Sequence, residues 1–211
     1  MKSAHQARSS TIWPLSLERE ETISLSYFEL ENDMGILDRW ELGDPMDGSG
    51  QEIWNGHFSR GLPLSIQLPV RIGMYAHGRA LDFSTTALGV TVVHDKVKML
   101  FERLGLQDQL QLIPITVDEH PDRYYLLNLL RTIRCIDDER CEEVGLRTVE
   151  EGYEDGIGEY YKVVGLRIDP SKVGDAELFR PWGWPVSIIV SERVKKAMEG
   201  AGVTGTRFTE V

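Results

Sequence analysis

A compact group of carboxylates is the part of the sequence whose spacing best suits metal chemistry. Asp137, Asp138 and Glu139 are consecutive, and Glu142 and Glu143 follow them closely. Adjacent carboxylates repel one another, and oxygen ligands suit Mg²⁺, so such a group can hold a divalent cation for hydrolysis. No histidine and no second acidic cluster lies at ligand spacing, which favours the other interpretation, a charged surface. We therefore expect no bound metal and no other cofactor.

Motifs for the common catalytic chemistries are absent from the sequence. It has no GxxxxGK[ST] phosphate loop, no GxGxxG after a strand and no GxSxG nucleophile elbow. The histidines are scattered and form no HxxH, HxxxH or HExxH pair; they are His5, His57, His77, His94 and His120. The sequence therefore predicts a protein without a catalytic site, which is not an enzyme.

The carboxylate group belongs to a longer acidic stretch. Between Cys135 and Tyr160, ten acids face only Arg140 and Arg147, a net charge of −8. The glycine-rich part, residues 152–158, predicts a surface loop rather than a helix. We expect the stretch to receive a basic partner through the following acids: Asp137, Asp138, Glu142, Glu143, Glu150, Glu151, Glu154 and Asp155.

Two tryptophans, Trp182 and Trp184, lie between Pro181 and Pro185. Proline excludes this segment from a helix interior or a central strand. Exposed indoles in a rigid loop are typical anchors of protein interfaces. An indole here can equally cover the core before the last strand, so both interpretations stay open. We include both tryptophans among the candidate partner-binding residues.

Two similar strand–helix–strand units are predicted, related by an offset of 97 residues. Residues 93–98 and 190–195 align, and each follows an apolar run. Apolar residues then recur at i, i+3, i+4 and i+7, which places four side chains on one helix face. Each helix ends at a glycine, Gly105 or Gly202, followed by an apolar residue, as a left-handed C-terminal cap requires. Extended runs, residues 110–117 and 206–211, complete the units.

The remaining pattern indicates a mixed, strand-rich α+β fold with a few short helices. Residues 1–19 are predicted to form an N-terminal arm, and residues 20–211 a single domain. Residues 43–50 read as a loop, and residues 62–72, with two prolines, as loop and edge strand. Residues 124–136 read as one buried strand.

The net charge of −11 disfavours nucleic acid as a partner because phosphates would be repelled. No run of 18 apolar residues and no signal peptide is present, so no membrane span is expected. Two cysteines do not make a disulfide framework, and they are expected to be reduced. These features together favour a cytoplasmic protein.

The chain resembles the bacterial polymorphic-toxin immunity proteins known as immunity protein 11, over about residues 25–211. The resemblance rests on the order of several short pieces rather than on one motif. They are Tyr27-Phe28-Glu29-Leu30, Arg39-Trp40, Leu42-Gly43, Asp47-Gly48, Leu81-Asp82-Phe83, Gln111-Leu112-Ile113-Pro114, residues 128–138, Leu178-Phe179-Arg180, residues 190–195, Gly202-Val203-Thr204-Gly205 and Phe208. It does not extend to Trp182-Gly183-Trp184.

This resemblance implies a bacterial protein that neutralises a cognate toxin by occluding the toxin's active or entry site. Two alternatives remain open at this stage. One is a metal-dependent hydrolase that reverses the toxin's product, built on Asp137, Asp138 and Glu142. The other is an inhibitor or regulator of an endogenous protein.

Overall fold

The computed structural model describes residues 26–150 and 152–211. The predicted N-terminal arm, residues 1–19, and Glu151 lie outside the described residues. The strands of the described residues are β1 (Tyr27–Asn32), β2 (Glu41–Met46), β3 (Val70–Ala76), β4 (Phe83–Thr85), β5 (Thr91–His94), β6 (Leu110–Val117), β7 (Tyr124–Leu129), β8 (Thr132–Ile133), β9 (Glu143–Leu146), β10 (Tyr160–Val164), β11 (Leu178–Pro181), β12 (Ile189–Ser191) and β13 (Thr206–Glu210). The helices are α1 (Asp95–Arg103) and α2 (Glu192–Gly200).

The strands form three sheets. The largest has the order β2-β3-β6-β7-β5-β4, the second has the order β13-β1-β12-β11-β8, and β9 pairs with β10 in a separate hairpin. The predicted strand-rich α+β class is confirmed. Neither helix in the described residues is long or apolar enough to cross a membrane. Cys135 and Cys141 are free thiols.

The two predicted strand–helix–strand units are present, as β5-α1-β6 and β12-α2-β13. Their helix ends are built alike. The side chains of His94 and Ser191 accept hydrogen bonds from the first turn of α1 and α2, respectively. At the other end, Gly105 and Gly202 have φ values of 74° and 60°. Each helix then closes with the paired backbone hydrogen bonds of a Schellman motif, Leu106 N–H to Phe101 O and Gly105 N–H to Glu102 O in α1.

The correspondence extends beyond these units. Each begins with an antiparallel hairpin, β4–β5 in one and β11–β12 in the other. A central strand then lies between the last strand of the hairpin and the strand after the helix, giving β4-β5-β7-β6 and β11-β12-β1-β13. In the first copy the central strand, β7, follows the unit along the chain. In the second copy, β1 precedes it by about 150 residues.

The two helices exchange caps at their C-terminal ends. The Lys96 Nζ of α1 donates to the Gly202 carbonyl oxygen after α2 at 2.7 Å, and the Arg193 Nη2 of α2 donates to the Leu104 carbonyl oxygen at 3.0 Å. Asp82 holds the Lys96 ammonium at 3.0 Å, and Glu177 holds the Arg193 guanidinium. Cations at helix C-termini neutralise the helix dipole and satisfy free carbonyls.

Both copies contribute to the central core. It contains Val97 and Phe101 of α1 and Val194 and Met198 of α2, packed on inward-facing residues of both large sheets. The outer face of the six-stranded sheet covers a second core around Trp40 and Phe58. The outer face of the five-stranded sheet covers a third core around Tyr27, Ile168 and Phe179.

Three predicted segments were wrong in detail. Residues 124–136 are not one strand, because β7 and β8 belong to different sheets and the chain crosses between them at Leu130 and Arg131. The strand in the predicted edge segment is β3, which lies between β2 and β6 and is therefore not an edge strand. It begins after Pro69, so the two prolines of the segment do not interrupt its pairing. The first half of the predicted loop 43–50 instead forms four of the six residues of β2, an edge strand whose register shifts before Pro45.

A matched pair of methionines tests the helix faces. Met198 is fully buried in α2, whereas Met99 of α1 is 52% exposed. We expect Met198→Ala to lower the free energy of unfolding by about 2–5 kcal/mol, because it leaves a cavity, and Met99→Ala to change it by less than about 0.5 kcal/mol. Urea denaturation measures both. Similar losses for the two variants would contradict the assigned helix faces.

The acids behind the exchanged caps predict how stability depends on pH. Burial raises the pKa of Asp82, but hydrogen bonds from Thr204 and Lys96 outweigh burial and hold the pKa below its ordinary value. The hydrogen bond from Arg193 lowers the pKa of Glu177. Both carboxyls therefore bind protons less tightly in the folded state. Their stabilisation is complete above the unfolded pKa of about 4 and is lost as pH falls through the lower folded values.

We expect urea midpoints to fall steeply below about pH 4, and the Asp82→Asn/Glu177→Gln double variant to be less stable at pH 7 with a shallower acid decline. Matched measurements from pH 7 to pH 2.5 give both slopes. An unchanged slope in the double variant would show that other groups control acid unfolding.

Candidate functional site

A large groove in the described part of the chain lies where three segments meet. Its volume is about 1110 Å³. The segments are the 3₁₀ turn Asn55–Phe58 with its flanking residues, the loop that joins β9 to β10, and the turn that follows β11. Side chains from all three line it, among them Trp54, His57, Arg60, Asp155, Trp182 and Val186.

The turn after β11 is shaped by Gly183. The Trp184 N–H donates to the Pro181 carbonyl oxygen at 3.2 Å, which closes a four-residue turn. Gly183 occupies its third position with a φ of 79°, a conformation that favours glycine. The Gly183 carbonyl accepts a hydrogen bond from the Tyr160 N–H at 3.0 Å. The turn is thereby fastened to the start of β10, so two walls of the groove are joined.

The two predicted anchor tryptophans point to different places. Trp182 lines the groove, with the Arg134 guanidinium carbon 3.1 Å from its ring centroid. Trp184 is half-buried and packs against the third core. The position of Trp182 in the groove fits the interpretation as an interface residue, whereas the position of Trp184 fits the interpretation as a residue that covers the core.

The acidic stretch forms the β9–β10 hairpin rather than only a loop. The Arg147 N–H donates to the Glu159 carbonyl at 2.8 Å, and the Gly158 N–H donates to the Arg147 carbonyl at 2.9 Å, so the ladder continues past β9. Tyr153 stacks on Tyr161 with 5.8 Å between ring centroids. The acids that the structure describes are therefore carried on a hydrogen-bonded projection at the surface.

Seven of the eight predicted acids lie among the described residues and are distributed over this projection and its base. Asp155 lines the groove, and Glu150 and Glu154 are exposed on the same loop. Glu142 is exposed just before β9, and Glu143 pairs with Lys162 at 2.6 Å.

Asp137 and Asp138 lie at the base of the hairpin. Asp137 pairs with Arg140 at 3.8 Å, and Asp138 accepts a hydrogen bond from the Tyr160 hydroxyl at 2.6 Å. Within residues 26–150 and 152–211, no three His, Cys, Asp or Glu side chains are placed to hold a metal ion. The metal-dependent hydrolase alternative therefore gains no support from these carboxylates.

Apolar side chains accompany the acids on the hairpin, which the sequence reading missed. Leu146, Val149, Ile157, Tyr161 and Val164 are all exposed. They do not recur at the two-residue spacing of a strand, so the sequence gives no indication of which face of a two-stranded hairpin is covered.

Trp54 was also missed. It is 52% exposed at the groove and is followed by Asn55 and Gly56. An indole directly before turn residues, outside any periodic apolar run, was the available signal.

An open groove with an exposed indole, bordered by a charged and apolar projection, is typical of a surface that binds another protein. The comparison with known families agrees with this class. A family model described as the immunity protein family (Imm11) matches residues 31–211, so the chain belongs to that family. A search of curated proteins found no match.

The different positions of the tryptophans predict different effects on stability. Trp184→Ala removes a side chain packed on the third core, so we expect a loss of about 2 kcal/mol or more. Trp54→Ala removes a largely exposed ring and should cost less than about 0.5 kcal/mol. Chemical denaturation of the two single variants compares them directly. A stable Trp184→Ala protein would exclude a core role for that indole.

Proposed function

We propose that this chain neutralises a cognate bacterial toxin by binding it in the cytoplasm, without catalysis, and occluding the toxin's active or entry site. Membership of the immunity protein family is the observation that carries the proposal. The groove and the β9–β10 hairpin are the proposed binding surface.

The chemistry of this surface supports two separate contributions. Trp54, Trp182 and the exposed apolar residues of the hairpin supply area that gains free energy when water is removed. A stable complex needs an interface of roughly 1,600 Å², which a groove and an adjacent projection together can provide. The anchors would determine how slowly the complex dissociates.

The acids supply the second contribution, which acts before contact. Exposed charges of one sign attract an oppositely charged partner and raise the association rate, and salt screens this attraction beyond roughly 8–10 Å. The hairpin acids therefore favour a basic toxin. The same charge, within a chain of net charge −11, disfavours nucleic acid as the partner.

The first experiment identifies the partner. A candidate toxin, sought among the proteins encoded beside this gene, is co-expressed with the chain and tested for co-purification and for loss of toxicity. Protection with a stoichiometric complex is the expected result. Protection without a complex, by a chain that modifies the toxin's product, would replace binding with hydrolysis.

Binding kinetics then separate steering from anchoring. Neutralising Glu150, Glu151, Glu154 and Asp155 together should slow association about tenfold at low salt and flatten its salt dependence, with dissociation nearly unchanged. Trp54→Ala and Trp182→Ala should instead speed dissociation.

The matched control neutralises four exposed acids outside the hairpin and the groove: Asp108, Asp175, Glu192 and Glu199. It changes the net charge equally. If the control slows association as much as the hairpin variant, the effect is one of total charge and the hairpin has no special role.

A further inference from the structure

A second cavity adjoins the groove at the seam between the two large sheets. Its volume is about 340 Å³, and it shares Asn55, Pro185 and Val186 with the groove. β1 and the β4–β5 hairpin form two of its walls. Arg180 of β11 also lines the cavity.

Arg180 is a buried cation without a counterion. Its residue is only 5% exposed. Its Nη1 donates to the backbone carbonyls of Pro185 and Ser187, while its Nε has no hydrogen-bond acceptor among the described residues. No carboxylate of those residues lies within ion-pair distance of it. Burial without an opposite charge lowers the pKa of Arg180 to about 10, so it remains charged at neutral pH.

The acids that line the same cavity are already engaged. Glu31 binds Arg207 at 3.0 Å and accepts a hydrogen bond from Thr209. Glu29 accepts a hydrogen bond from the Ser187 hydroxyl. A buried charge is costly unless it is paired, and neither acid pairs with Arg180. The enclosed Nε–H of the guanidinium is therefore satisfied by none of the described residues, and Arg180 lines a cavity that opens to the proposed binding surface.

A second donor stands at the mouth of the cavity. The Asn55 side chain is exposed there, and its amide makes no hydrogen bond within residues 26–150 and 152–211. A planar guanidinium together with an amide donor suits a carboxylate, which accepts two or more hydrogen bonds.

We propose that this cavity receives the carboxylate of an aspartate or glutamate side chain from the partner protein, with Arg180 as its buried counterion and Asn55 as a second donor. The proposal rests on the proposed function and adds to it. A basic toxin surface that is steered by the hairpin would then carry one acidic side chain at the contact, which fixes the orientation of the complex. Partners with only cations at that position would be rejected.

The cavity is tested first without the toxin, by NMR of the full chain. Acetate is titrated while the Nε–H resonance of Arg180 is followed, with acetamide as the neutral isostere and inorganic phosphate as a different anion. Acetate should move the Arg180 resonance saturably and acetamide should not. The Nε–H of Arg193, already bonded to Glu177, serves as the internal control and should stay in place. A resonance that acetate leaves unmoved, or that phosphate moves equally well, overturns a carboxylate site.

Two variants complete the test. Arg180→Lys keeps the charge but loses the forked donor geometry, and Asn55→Ala alters only an exposed residue at the mouth. Asn55→Ala should weaken acetate binding about threefold to tenfold. With the co-purified toxin, Arg180→Lys should weaken binding roughly tenfold or more.

Toxin binding should also shift the Arg180 resonance, and replacing one acidic residue of the toxin by its amide should abolish that shift. A toxin complex that leaves the resonance unmoved overturns this proposal while the immunity function stands. Acetate binding by a chain that fails to bind or neutralise the toxin overturns the immunity function instead.

Discussion

The fold depends on the exchange of caps between its two helices. A helix of nine residues is marginal on its own, and of the four carbonyls at its C-terminal end that lack partners within the helix, the Schellman bonds satisfy only two in α1 and two in α2. Here each helix lends a cation from its first turn to the end of the other, Lys96 to Gly202 and Arg193 to Leu104. The exchange is reciprocal, so the C-terminal end of each helix is capped by a side chain of the other. It aligns Phe101 and Met198 over one core, and the two four-stranded arrangements are held on either side of that core.

The position of the candidate site follows from this arrangement. The hairpins β4–β5 and β11–β12 belong to different sheets, and residues of both, among them Phe83, Thr91 and Arg180, line one cavity at the seam between the sheets. The cavity that contains Arg180 lies at that seam, and the groove continues from it past Pro185 and Val186. Arg180 also binds the carbonyls of Pro185 and Ser187, and so holds the turn that presents Trp182. One side chain thus supports the shape of the groove and lines the cavity beside it.

The sequence was sufficient for features that are local. Helix faces, their capping residues and their final glycines are written within about a dozen residues, so both strand–helix–strand units were predicted correctly. The central strand of each unit could not be predicted from the sequence. β1 and β7 occupy equivalent places in their sheets, although β7 follows its unit along the chain and β1 precedes its unit. The crossing at Leu130 and Arg131 was missed for the same reason. A continuous apolar run predicts that a segment is buried, but the segment can be buried in one sheet or divided between two.

The candidate site shows a related limit, which concerns exposure rather than topology. Trp182 and Trp184 are two residues apart, with the same neighbours in composition, yet one faces the groove and the other packs on a core. The difference arises because Gly183 turns the chain between them and fastens it to Tyr160, a residue more than 20 positions earlier. The role of Arg180 could not be predicted from the sequence, for a stronger reason. An arginine in a short strand ordinarily reaches solvent, and only the tertiary structure encloses it without an acid, so its significance lies in a missing partner that no single stretch of sequence can reveal.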